Sequence, residues 1–142
     1  MALTPEQTTQ LLAGTRLFAG VDAAGLQRIV ARVNELELPA DRVLARQGEI
    51  GTGFFIVVSG GVRVVRDGET LAQLGPGDFF GELSVLDRRP RIAQVVSSEP
   101  TTCLALASWD FEAVVQEQPS VAMAILRELA GRLRELTEAQ HH

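Results

Sequence analysis

At 142 residues, with 46% hydrophobic and 22% charged content, the chain has the length and composition of one globular domain with a sizeable core. A formal net charge of -5 argues against a general nucleic-acid surface, because phosphate backbones bind basic faces. The single cysteine, Cys103, sits in an apolar run and reads as a buried small hydrophobe, while the absence of a leader-like N-terminus or of an apolar run near about 20 residues points to the cytoplasm.

Thr4, Pro5 and Gln7 predict a helix start, with a hydroxyl cap, proline at the first helical position and Gln three residues after the cap. Asp22 caps a second helix in which Leu26, Ile29, Val30 and Val33 share one face. From Glu35 the period falls to two, predicting strands over Glu35–Leu38, Arg42–Arg46, Phe54–Val58, Val62–Val65 and Thr70–Leu74, with Asp67-Gly68 as a tight hairpin turn. Further strands are predicted over Ile92–Val96 and Thr101–Leu106, and so many short strands with glycine punctuation imply a sandwich or barrel. Helical pattern returns with Ser108 as a cap, and Pro119 opens a longer last helix. There Leu126, Leu129, Leu133 and Leu136 recur in an a/d rhythm, which either covers the chain's own body or also pairs with a second subunit. His141 and His142 read as the remains of a purification tag.

The stretch from Phe80 to Val95 carries the chemistry. Gly81 opens an apolar segment too short for an ordinary helix, and Arg91 follows Pro90 at the start of a β-branched run. A one-turn helix beginning near Gly81 would aim unpaired N–H groups at a phosphate, and Arg91 would meet the same phosphate with a fork of donors. Glu82 would repel that ligand unless it accepts from something else, and a sugar hydroxyl would serve. Phosphate plus ribose means nucleotide. The competing reading is a solvated charged loop over Asp87–Arg91 with Glu82 as an N-terminal helix charge.

Gly81, Glu82, Leu83, Pro90, Arg91, Ala93 and Val95 match, in order and spacing, the phosphate-binding cassette of the cyclic nucleotide-binding domain family, which this stretch resembles. Gly48, Glu49, Gly51, Phe54, Phe55, Gly60, Val62, Val64 and Gly75–Asp78 extend the resemblance over nearly the whole chain. The resemblance implies an α+β, mainly β fold: an eight-stranded antiparallel jelly-roll-like β-roll with short N-terminal helices, a one-turn phosphate-binding helix and two C-terminal helices. One domain would span 1–140, with N-terminal helices over 1–33, the β-roll over 34–107 including the cassette at 80–95, C-terminal helices over 108–140, and 141–142 as tag remnant.

The roles implied are specific. Arg91 would pair the exocyclic phosphate oxygens, Glu82 would accept from the ribose 2′-hydroxyl, and backbone N–H groups near Leu83, Ser84, Ile92 and Ala93 would complete the cradle. Val64, Leu71 and Leu74 match positions that pack against the purine, or serve as plain core. Arg132 and Thr137 on the last helix match positions near the ligand, or lie on a solvated face. Ile92 stands where many members carry alanine, serine or threonine; without a hydroxyl to meet guanine's exocyclic amine, cyclic AMP is expected over cyclic GMP. The function implied is a regulatory sensor, not an enzyme, with no metal or cofactor, which couples ligand binding to movement of the C-terminal helix. A homodimer through that helix is the expected assembly, with no DNA-binding module and no membrane segment, whether free-standing or excised from a longer chain. Two rival readings stand beside this one. A metal-dependent β-roll enzyme fails because histidine occurs only at the last two positions. A degenerate β-roll that dimerises without nucleotide predicts an eroded cassette, and Glu82 with Arg91 counts against it.

Overall fold

The computed structural model describes residues 3–49, 53–81 and 88–139, and capping chemistry sets its first elements. Helix α1, Pro5–Ala13, starts in a reciprocal box: the Gln7 N–H donates to Thr4 Oγ1 at 3.1 Å, and the Thr4 N–H donates to Gln7 Oε1 at 2.9 Å. Helix α2, Ala23–Val30, is capped by Asp22, whose Oδ1 accepts from the Gly25 N–H at 2.7 Å. The described residues then form eight strands: β1 Asn34–Leu38, β2 Val43–Ala45, β3 Gly53–Ser59, β4 Val62–Arg66, β5 Glu69–Leu74, β6 Phe79–Phe80, β7 Gln94–Ser97 and β8 Thr101–Ala107. Helices α3, Ser108–Glu117, and α4, Pro119–Ala139, follow.

The strands make two antiparallel four-stranded sheets, ordered β1-β8-β3-β6 and β2-β7-β4-β5. Alternation divides the apolar residues between two cores. In β3, Phe54 and Ile56 face the helices, while Val57 faces the space between the sheets, joined there by the partly buried Phe55. Both faces of β3 are covered, which is why its sequence is a continuous apolar run and not an alternating one. The helix-side core gathers Leu12, Phe18, Ile29, Leu104, Phe111, Val121 and Ile125 around Phe54, whose ring stacks on Phe111 with centroids 4.4 Å apart. The inter-sheet core comprises Ala45, Val57, Val62, Phe80, Val95 and Cys103.

Four local expectations change. The strand β6 was not anticipated, because two residues carry no periodicity. Strand β7 starts at Gln94, not Ile92. Ser108 is the first residue of α3 and Ala107 stands at its cap with no side-chain bond, so the cap expected of Ser108 is not made. Finally, the stripe of α4 that packs on the body is Val121, Ala124, Ile125 and Leu129, whereas Leu126, Leu133 and Leu136 are 57%, 66% and 63% exposed. The one-turn helix expected after Gly81 lies outside the described residues.

Candidate functional site

Three backbone segments converge on Arg91. On one side the Arg91 N–H donates to the Glu49 carbonyl at 2.7 Å, and the Gly48 N–H donates to the Arg91 carbonyl at 2.8 Å. The residue is thereby paired, in strand fashion, with the turn after β2. On the other side its guanidinium Nη2 donates to the Gly53 carbonyl at 3.0 Å, at the start of β3. Gly81 closes the arrangement. Its φ of +98° is one that L side chains rarely adopt, and a Cβ there would stand 2.6 Å from the Gly53 oxygen and 3.4 Å from Arg91 Nη1. It is the Gly53 carbonyl, together with the positive φ, that calls for glycine here. A permanently charged fork is thus fixed beside backbone at one end of the β-roll, an arrangement suited to an anion.

The inter-sheet core continues from this point. Phe80, the residue before Gly81, stacks on Phe55 with centroids 5.0 Å apart. Val64 and Leu74 pack against the same cluster and lie on paired strands. Leu71 behaves differently. The pairing shifts between Val64↔Ala72 and Val65↔Thr70, which leaves Leu71 as an extra residue in β5 and 54% exposed. After Arg91, Ile92 is 63% exposed and Ala93 is buried. Glu82, Leu83 and Ser84 lie outside the described residues.

The two α4 residues sit apart from the inter-sheet core. Arg132 lies over the Phe79 ring, 5.7 Å from its centroid, and 3.7 Å from Glu128. Phe79 belongs to the helix-side core, so Arg132 is placed against the outer face of β6. The Thr137 hydroxyl donates to its own helix, at the Leu133 carbonyl. A cavity of about 340 Å³ beside Arg132 is lined by Arg16, Asp78, Phe79 and Glu128 among others and holds none of the described cassette residues. Gly53 was missed in the sequence, because it contributes a carbonyl that every residue possesses; the only signal was its place at the end of a glycine-dense stretch, where β3 begins. Inside the roll, burial alone pushes the Cys103 thiol up to about 11.

The inter-sheet core of this β-roll thus leads to an anchored arginine and a tightly packed glycine. The chain belongs to the cyclic nucleotide-binding domain family, whose profile matches residues 35–118. It is 36% identical over 127 residues to a cyclic AMP receptor protein of Thermus thermophilus, covering 86% of this chain and 59% of the relative. A cyclic nucleotide-gated potassium channel of Rhizobium etli is 34% identical over 116 residues, covering 82% of this chain and 32% of the channel. The crystal structure of Thermus thermophilus catabolite activator protein superposes with a TM-score of 0.81 at 35% identity, over 89% of this chain and 62% of that one. The chain thus spans less than two thirds of each of these relatives' length. Among the described residues, no helix is long and apolar enough to cross a membrane.

Proposed function

We propose that the chain is a single sensor domain over 1–140 that binds cyclic AMP in preference to cyclic GMP and transmits occupancy through α4, without chemistry of its own. The observation that carries this reading is the placement of Arg91, held by backbone at 48–49 and bonded through its guanidinium to Gly53 beside Gly81. Arg91 takes the exocyclic phosphate oxygens, and Glu82 takes the ribose 2′-hydroxyl. Backbone N–H groups of Leu83, Ser84, Ile92 and Ala93 complete the cradle. Val64 and Leu74, already lining the inter-sheet core, meet one face of the purine, and the outward Leu71 covers its edge.

Coupling to α4 has a physical route. Phe79 and Phe80 are neighbours on opposite faces of β6, one under Arg132 of α4 and the other in the ligand-side core, at the start of the cassette. A ligand that shifts β6 therefore changes what α4 packs on, and population shift follows from that difference in contacts. The exposed Leu126, Leu133 and Leu136 support a homodimer through α4. Calorimetric titration with cyclic AMP, cyclic GMP and 5′-AMP tests the proposal: saturable binding in that order is expected, and no binding of either cyclic nucleotide would leave the degenerate roll as the reading.

A further inference from the structure

Strand β2 ends in a turn whose Glu49 N–H donates to the Arg46 carbonyl at 3.3 Å, with Gly48 at φ +86° in its third position. Positive φ at that position marks a type II-like turn. This is the turn that grips Arg91 by two backbone bonds. Facing it is the tip of the β4–β5 hairpin, where Asp67 and Gly68 have φ of 52° and 82°, the signature of a type I′ turn. Between the two tips stands one side chain. Gln47 Nε2 donates to Asp67 Oδ1 at 3.1 Å, and Gln47 Oε1 accepts from the Asp67 N–H at 3.3 Å. The sheet order β2-β7-β4-β5 puts β7 between the strands that end in these two turns. The Gln47–Asp67 pair therefore closes a bridge over the segment that leads into β7, which begins with Arg91.

We infer that Gln47 is a positioning residue for Arg91, setting the register of the phosphate-binding arginine against the hairpin that carries Val64, Leu71 and Leu74. The inference rests on the proposed function and deepens it. Among the described residues, the turn at 46–49 is tied to the roll, without the bridge, only by its own strand and by Arg91 itself, so the guanidinium samples more positions relative to the purine face. Two reciprocal bonds on one primary amide fix an orientation that a single contact would leave free to rotate. Both partners are exposed, so the bridge adds little to global stability and acts on geometry.

The test uses the whole chain, cyclic AMP and calorimetry. Gln47→Ala is expected to weaken binding about tenfold, within the coupling range for residues of one network, and to leave the unfolding midpoint in place. In an Arg91→Ala background the same substitution is expected to change affinity less than twofold, because its route is already gone. Gln47→Glu sets a carboxylate against Asp67 and weakens binding at least as much. Adding Asp67→Asn restores it, since the new amide donates to the new carboxylate and asparagine tolerates positive φ. Unchanged affinity in Gln47→Ala, equal losses in both backgrounds, or no rescue by Asp67→Asn overturns the inference while leaving the nucleotide site standing. Failure of the unmodified chain to bind overturns both.

Discussion

A single guanidinium carries most of the proposed recognition, and its surroundings set the size of its effect. Arg91 is partly buried and bonded to a carbonyl, so a phosphate placed against it meets a charge already oriented. Arg91→Ala is expected to weaken cyclic AMP binding by about 2–5 kcal/mol, roughly thirty- to several-thousand-fold, with the fold retained; calorimetry and thermal unfolding together check both halves. An undiminished affinity would remove the assignment. On the proposed reading, the neighbouring residue sets the choice of base. Ile92 presents a mostly exposed, β-branched surface with no hydroxyl, so a guanine amine against it forfeits about 1–3 kcal/mol if left unpaired on burial. Ile92→Thr should therefore raise cyclic GMP affinity relative to cyclic AMP, and a ratio that does not move would place selectivity elsewhere. Arg91 was legible in the sequence because charge, proline and spacing announced it. Gly53 and Gln47 were not, since one acts through a backbone oxygen and the other through contact with a turn 20 residues away.

Helix α4 separates two apolar stripes that the sequence merges. Read along the chain, the leucine rhythm was the conspicuous one, but the face that packs on the roll is built from Val121, Ala124, Ile125 and Leu129. Leu129 alone belongs to both, and only tertiary packing tells the two stripes apart. The caps of α1 and α2 and the Asp67-Gly68 hairpin were legible because each is decided within four residues. The short β6 was not, since its pairing with β3 is long-range and it spans just Phe79 and Phe80. The exposed stripe yields the prediction at this scale. Sedimentation at micromolar concentration is expected to show a dimer for the unmodified chain and a monomer for Leu133→Asp, which still folds because Leu133 is exposed and lies outside the helix-side core. A Leu133→Asp chain that keeps its mass, or an unmodified chain that is monomeric, would rule out this interface.

The stability of the whole molecule should respond to one buried thiol. Cys103 is fully enclosed between the sheets, and desolvation raises its pKa from 9.0 to about 11, disfavouring the thiolate in the folded state. Below pH 9 the thiol is protonated whether the chain is folded or not, and its contribution is fully present. As pH climbs from about 9 towards 11 the unfolded chain gives up its proton first, so stability falls by up to about 1.4 kcal/mol per pH unit and about 3 kcal/mol in all. Composition makes the measurement unusually clean. The sequence contains no lysine and no tyrosine, so Cys103 is the one side chain whose ordinary range borders that window. Urea unfolding at pH 8 and pH 10 should show a loss of roughly 1 kcal/mol in the unmodified chain. In Cys103→Ala a cavity lowers stability at both pH values, but the difference between them should vanish. The folded thiol should also resist a disulfide reagent at pH 8 and react on unfolding, because the thiolate is the nucleophile. An equal alkaline loss in Cys103→Ala would mean that the inter-sheet core opens by another route, and the raised pKa would then have no hold on the stability of the roll.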